Sequence, residues 1–202
     1  ELEVVLTPRD PDVNGVRISK IFTFRPQNYL IDVRYEVING SNAPVNMAFF
    51  GQIKRDGRPP LFQVDNVMGL QPYLGIATRT QEDLYNKIDL SDLEDGAYQQ
   101  DFTGGYIAFL QHYFLSAWVP SQSDSVRYYA RALNVTDEPA QNLYTLGFTS
   151  GVLTVAQGGR GELGGSFYAG PKNQSTLAEI AKGLDLTVDY GFLWFIAQPL
   201  FS

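Results

Sequence analysis

The alternation of apolar and polar side chains in YLIDVRYEVIN, residues 29–39, is the feature that most constrains the fold. One face of this segment carries the apolar side chains, namely Ile31, Val33, Tyr35 and Val37. The other face carries the charged side chains Asp32, Arg34 and Glu36. A period of two residues is that of a β-strand. The segment therefore predicts a strand with one buried and one solvated face, which is typical of antiparallel sheets.

Similar patterns on both sides of this segment predict a mainly β chain. Residues 2–6 alternate, Asn14-Gly15 predicts a tight turn, and residues 16–24 predict a second strand. A turn at residues 39–41 leads into a further strand over 45–53, so we expect an antiparallel meander over the first fifty residues. Later strands are predicted over 106–119, as one long or two consecutive strands, and over 127–133, 144–148 and 167–170.

The remaining segments predict loops and one short helix. The alternation fades between residues 54 and 103, where we expect long loops. The glycine-rich QGGRGELGG, residues 157–165, predicts a flexible hairpin or loop, because it lacks the G-K-[ST] of a phosphate-binding loop. NQSTLAEIAKGL, residues 173–184, predicts a helix, since Thr176 and Glu179 have the capping-box spacing and Gly183 stands where a helix would end.

The composition argues against several classes of function. The formal net charge is −7, and no cluster of Lys and Arg offers a footprint for phosphates, so we expect no nucleic-acid partner. The chain has no cysteine, which excludes disulfides and thiolate metal sites. No stretch reaches the roughly 20 apolar residues of a membrane span. We predict no metal and no cofactor.

Catalytic motifs are scarce. His112 is the single histidine and lies in an apolar run, which predicts a partly buried, hydrogen-bonded sheet residue. The residue types of a Ser-His-Asp triad are all present, so this triad stays open as an alternative, although no G-x-S-x-G motif supports it. The acidic span over residues 82–96 does not match a calcium-binding loop and predicts a solvated loop, with a protein-docking loop as the functional alternative. Pairs of carboxylates with glycosidase geometry also stay open, because sequence does not give distances.

The end of the chain, LDLTVDYGFLWFIAQPLFS, residues 184–202, combines two patterns. LDLTVDY predicts a strand with Leu184, Leu186, Val188 and Tyr190 inward. The run that follows is apolar around most of a helical circumference. This pattern favours a segment that lies at the bilayer surface and leads into a spanning helix, rather than a helix buried in the core. The residues of this predicted coupling segment are Gly191, Phe192, Leu193, Trp194, Phe195, Ile196, Gln198, Pro199, Leu200 and Phe201.

These residues carry a resemblance to a known family. LDLTVDYGFLWFIAQPLF resembles the end of the large periplasmic domain of the YidC membrane protein insertases of Gram-negative bacteria. GGYIAFLQHYFLSAWVP at 104–120, FGQIK at 50–54 and FYAGPK at 167–172 are similar to that domain in the same order.

The resemblance implies an antiparallel β-supersandwich like that of galactose mutarotases, with a short C-terminal helical part. Residues 1–183 would form the sandwich, and residues 184–202 its last strand and the start of the membrane-proximal segment. The family's first strands and first transmembrane helix would precede Glu1. The domain would stand on the periplasmic face of the inner membrane, with the insertion machinery beyond Ser202.

The resemblance also implies partners, which are nascent membrane proteins, the membrane surface at the C-terminal end, the Sec translocon and SecDF. By position, contact with SecDF falls on the middle of the chain, at Arg55, Arg58, Glu82, Asp83, Asp89, Asp92, Glu94 and Asp95. The leading hypothesis is thus a noncatalytic interaction domain of an insertase. The alternative is a carbohydrate-binding or mutarotase-like module, which a single histidine supports poorly.

Overall fold

A computed structural model describes residues 1–10, 14–58, 73–80, 82–136 and 141–188. Within these ranges the chain forms fourteen strands, two short α-helices and a 3₁₀ helix at Leu184–Thr187. The strands are β1 (Leu2–Leu6), β2 (Val16–Phe24), β3 (Leu30–Asn39), β4 (Val45–Met47), β5 (Phe50–Asp56), β6 (Gly75–Thr78), β7 (Asn86–Ile88), β8 (Tyr98–Thr103), β9 (Ile107–Leu110), β10 (Phe114–Val119), β11 (Ser125–Asn134), β12 (Leu143–Ser150), β13 (Leu153–Val155) and β14 (Arg160–Pro171). The helices are α1 (Asp92–Asp95) and α2 (Gln174–Ile180). No helix in the described ranges has the length and apolar character that crossing a bilayer requires.

Eight strands form a large antiparallel sheet in the order β1-β2-β3-β14-β10-β9-β6-β7. The meander predicted for the first three strands is confirmed, as are strands at the positions of β10, β11 and β12. The run over 106–119 forms two strands, β9 and β10, which was one of the two predicted forms. The strand β14 joins the two halves of the sheet, because it pairs with β3 on one side and with β10 on the other.

The predicted meander is wrong beyond Asn39. The strand β4 pairs with β13 in a two-stranded ribbon, and β5 pairs with β12 in a second sheet of order β5-β12-β11-β8. The buried side chain of Asn39 donates from Nδ2 to the carbonyl oxygens of Ala43 and Val155, both at 2.9 Å. The long-range bond to Val155 fastens the chain to the ribbon at the point where it leaves the large sheet.

The small sheet packs on one face of the large sheet, which we call the inner face. The core between them includes Phe49, whose ring centroid lies 5.3 Å from that of Phe148 and 5.6 Å from that of Trp118. Val33 is buried in this core, and Ile31 and Tyr35 pack against it, while the charged residues between them lie on the opposite face. The mainly antiparallel sandwich with a short C-terminal helical part is therefore confirmed.

The prediction of loops over 54–103 is wrong where β6, β7, α1 and β8 form. The prediction of a loop over 157–165 is wrong from Arg160 onward, because that stretch begins β14. Glycine is needed at position 161 because the ribbon packs closely against β14. A Cβ on Gly161 would lie 2.7 Å from the Val155 side chain and would push the ribbon away.

The predicted helix is confirmed as α2, but its capping differs from the prediction. The N-cap is Asn173, whose Oδ1 accepts a hydrogen bond from the Thr176 amide at 3.2 Å. Thr176 therefore lies inside the helix and does not begin a capping box with Glu179.

The strand predicted over 184–190 is wrong in its described part. Gly183 adopts a left-handed conformation with φ of 88°, which reverses the chain after α2. The next residues form the 3₁₀ helix, in which Leu184 is buried and Leu186 is 44% exposed. A strand with both leucines inward is thus excluded by the turn at Gly183.

Candidate functional site

The C-terminal helices dock on the outer face of the large sheet through a row of small residues. Ala77, Ala108 and Ala117 lie side by side on β6, β9 and β10, and all three are fully buried. Leu177 of α2 and Leu184 of the 3₁₀ helix pack in the same cluster. Because methyl side chains leave room above the sheet, the helices can approach it closely. Sequence reasoning missed this row, although alanine is infrequent in strands and its recurrence there was the available signal.

A buried tyrosine ties this docked segment to the sheet. The hydroxyl of Tyr106 lies 3.0 Å from the carbonyl oxygen of Gly183 and 3.1 Å from that of Leu84. The side chain is fully buried, and burial raises the pKa of Tyr106, so the hydroxyl stays a neutral donor. Tyr106 therefore joins β9, the loop before β7 and the end of the C-terminal helices. We call Tyr106, Leu84 and Gly183 the tyrosine latch.

Gly183 fits this latch only as glycine. A Cβ at this position would lie 2.4 Å from the Leu84 carbonyl oxygen, and the left-handed backbone disfavours any other residue. The chain continues to Val188, which packs against the same cluster. The predicted coupling segment, residues 191–201, lies outside the described residues.

The predicted partner-contact residues separate into exposed and engaged groups. The exposed members are Glu82, Asp83, Asp89, Asp92, Asp95 and Arg58. Arg58 pairs with Asp56 at 3.5 Å. The guanidinium of Arg55 lies 4.8 Å from the Phe109 ring centroid, and partial burial lowers its pKa. Arg55 is thus largely committed to packing inside the fold.

Glu94 has a structural role that the sequence did not indicate. One carboxylate oxygen accepts hydrogen bonds from the Tyr144 hydroxyl at 2.5 Å and from the Asn142 amide at 2.7 Å. These two donors lower the pKa of Glu94. The bonds fasten α1 to the small sheet, so Glu94 is not available to a partner in the way its exposed neighbours are.

A cleft of about 530 Å³ opens beside α2 on the outer face of the large sheet, the face opposite the small sheet. Its floor is the β3–β14 pair, and its walls are the loop over 119–124 and Ile180 at the end of α2. Asp32 in the floor pairs with Arg25 at 2.7 Å and accepts a hydrogen bond from Ser166 at 2.7 Å. Arg34 pairs with Glu3 at 3.0 Å. The floor is therefore polar and largely neutralised by its own ion pairs.

His112 is not in this cleft. It lies in the turn between β9 and β10, with its ring centroid 3.8 Å from that of Tyr113, so its prediction as a sheet residue is wrong. Among the described residues it forms no hydrogen bond or ion pair with a carboxylate. In the same ranges, no group of three or more His, Asp or Glu side chains is placed to hold a metal ion.

Comparison with known proteins places these features in a family. The family model of the YidC periplasmic domain matches residues 1–202. The chain is 43% identical over 188 residues to the membrane protein insertase YidC of Cellvibrio japonicus, covering 93% of this chain and 33% of that protein. It is 42% identical over 190 residues to the same-named protein of Saccharophagus degradans, covering 94% of this chain and 32% of that protein. The chain thus spans about a third of the length of the curated relatives it matches.

Two solved structures are distantly similar to the chain. A galactose mutarotase related enzyme from Lactobacillus acidophilus has a TM-score of 0.48 and 10% identity, covering 83% of this chain and 67% of that one. A TPR-domain containing protein from Parabacteroides distasonis has a TM-score of 0.49 and 8% identity, covering 83% and 32%. The full-length family match and the close relatives agree with each other, and the chain belongs to the YidC periplasmic domain family.

Proposed function

We propose that this chain is the noncatalytic periplasmic domain of a membrane protein insertase, and that it acts by holding the polypeptide that leads to the membrane in a fixed position. Family membership supports the setting. The tyrosine latch is the observation that carries the mechanism, because it joins the C-terminal helices to a strand in the middle of the large sheet.

The physical reason is rigidity. The helices α2 and Leu184–Thr187 are too short to be stable alone, so their position depends on tertiary contacts. The alanine row and the latch supply those contacts, since Leu177 and Leu184 are fully buried against the sheet. The sandwich then holds the chain in place up to Val188, the last described residue before the predicted coupling segment.

The test measures insertion by the full-length insertase that carries this domain. Gly183→Ala removes the latch geometry, and we expect it to lower the yield of protease-protected membrane protein in an insertion assay. Tyr128→Phe is the control, because Tyr128 is also fully buried and donates to a glycine carbonyl, Gly104 at 2.5 Å, but it lies on β11 in the core between the two sheets. Equal insertion by the latch variant and the control would refute the coupling role.

The membrane-proximal part of the proposal needs its own variants. Glutamate at Leu193, Phe195 and Ile196 should reduce insertion, because charges oppose seating of the segment at the bilayer surface. Glutamate at Val152 is the control, since this apolar residue is 70% exposed on a turn of the sandwich. If the triple variant inserted as well as the control, the segment would have no coupling role.

For partners, we propose that the exposed acidic residues Asp89, Asp92 and Asp95 contribute to docking of SecDF or the Sec translocon. Asp92 and Asp95 are the first and last residues of α1, and Asp89 lies between β7 and α1; all three are exposed, so a basic surface could approach them. A photo-crosslinker at Asp92 should capture the Sec components in membranes, and one at Gln99, exposed on β8, should not. Equal capture from both positions would refute this docking site.

A further inference from the structure

The outer face of the small sheet carries two exposed features that the proposed function does not use. Phe50 on β5 is 57% exposed, and its ring stacks on Tyr129 of β11 with a centroid distance of 5.6 Å and an interplanar angle of 5°. Tyr129 reaches across β12 because Gly147 lies between them; a Cβ there would lie 2.8 Å from the Tyr129 hydroxyl. An aromatic pair is thus held on the surface.

Two basic residues lie one step further along the same face. Lys54 of β5 and Arg131 of β11 both lie opposite Thr145 of the central strand β12. Two strand spacings place their backbones about 10 Å apart. Both residues are exposed, and in the described part of the chain neither forms an ion pair. We call Phe50, Tyr129, Lys54 and Arg131 the basic–aromatic patch.

The patch is positive although the chain as a whole carries a net charge of −7. The carboxylates near it in the described ranges are already paired. Asp101 accepts two hydrogen bonds from Arg127, at 2.7 and 3.0 Å, and Asp56 pairs with Arg58 at 3.5 Å. Among the described residues, Lys54 and Arg131 therefore carry positive charge that no carboxylate pairs with, beside an exposed aromatic ring.

We propose that the basic–aromatic patch docks on the anionic lipid headgroups of a bilayer. The inference rests on the proposed function, which sets the domain beside a membrane. Lys and Arg are attracted to an anionic surface within about a Debye length, and the exposed Phe50 ring adds apolar area that can be buried among the headgroups. Charge complementarity between Lys54, Arg131 and the anionic headgroups selects this occupant. Repulsion of the acidic remainder of the surface opposes other orientations, so the domain would meet the bilayer through the patch.

The test is co-sedimentation of the 202-residue chain with vesicles of phosphatidylglycerol and phosphatidylcholine, compared with vesicles of phosphatidylcholine alone. Each basic side chain near such a surface contributes about a fivefold change in partitioning. Lys54→Ala with Arg131→Ala should therefore weaken binding to the anionic vesicles about 25-fold, and added salt should weaken binding of the original chain. Phe50→Ser should weaken it as well.

The matched control is Arg17→Ala with Arg160→Ala. These exposed arginines lie on β2 and β14, the two neighbours of β3 in the large sheet, and both pair with Ile38. They therefore have the same two-strand spacing as Lys54 and Arg131. The next cross-strand position there carries Glu36 beside Glu162, so two carboxylates lie close to these arginines on the same face. The control changes the net charge equally and should leave binding nearly unchanged.

Two results would overturn the proposal. The first is equal binding of the original chain to anionic and neutral vesicles. The second is an equal loss in the patch and control variants, which would mean that net charge alone sets the binding. Neither result bears on insertion by the full-length insertase, so failure of this inference and failure of the proposed function are distinguishable.

Discussion

Removing the hydroxyl of Tyr106 should release the C-terminal helices without unfolding the sandwich. The hydroxyl has one proton, which the carbonyl oxygens of Gly183 and Leu84 share at 3.0 and 3.1 Å. A buried hydrogen bond contributes about 1 kcal/mol net, and leaving a buried acceptor without a partner costs about 1–3 kcal/mol. The bond to the Leu84 carbonyl is only partly buried, so water compensates that oxygen in part. We therefore expect Tyr106→Phe to destabilise the docked state by about 2 kcal/mol.

Amide hydrogen exchange measures this local effect. The amides of Leu184, Leu186 and Val188 donate to carbonyls within the docked segment, so they exchange when it opens. A loss of about 2 kcal/mol corresponds to roughly 30-fold faster exchange at these amides. Tyr128→Phe should lower the global stability in urea to a similar extent, yet leave these three amides at their original rates. Unchanged exchange in Tyr106→Phe, or equal acceleration in Tyr128→Phe, would refute the latch.

Three further predictions concern stability. Placing a residue with a Cβ in the left-handed conformation costs roughly 1–2 kcal/mol. Gly183→Ala should lower the free energy of unfolding by more than this, because its Cβ also meets the Leu84 carbonyl oxygen. An unchanged urea midpoint would contradict this. Glu94→Gln should destabilise the chain at neutral pH and make its stability depend less on pH in the acid range. The reason is that the lowered pKa of Glu94 gives stability that is lost as pH falls through the pKa of the folded state. Urea midpoints across a pH series test this, and parallel curves for the variant and the original chain would contradict it. Asn173→Ala should cost about 1 kcal/mol and Asn173→Ser much less, as expected for an N-cap and measurable by urea unfolding.

The strands with one wet face were predictable because burial imposes a period of two on their sequence. The strand over 29–39 is observed as Leu30–Asn39, with Val33 buried and its charged neighbours facing away. The segments that were wrongly predicted as loops follow another rule. Gly161 and Gly165 lie inside β14, where their missing side chains make room for Val155 and for Phe148. Local pattern indicates a loop at such positions, and only the packing partner shows why glycine belongs in a strand.

The candidate site depended on contacts that sequence does not contain. Acidic residues at 82–95 look equivalent along the chain, yet Glu94 alone is fastened by Tyr144 and Asn142, which lie far away in sequence. His112 follows an apolar run, but the tight turn between β9 and β10 removes it from the strands.

The sequence by itself determined the alternating strands, the absence of cysteine chemistry and the family, because these depend on composition, local period and motif order. Only the tertiary structure decided which strands share a sheet, where the C-terminal helices dock and which charges remain free. The physical reason is that sheet pairing and burial join residues distant in the chain. The hydrogen bond from the Tyr106 hydroxyl to the Gly183 carbonyl oxygen exists only once β9 and the end of α2 have met.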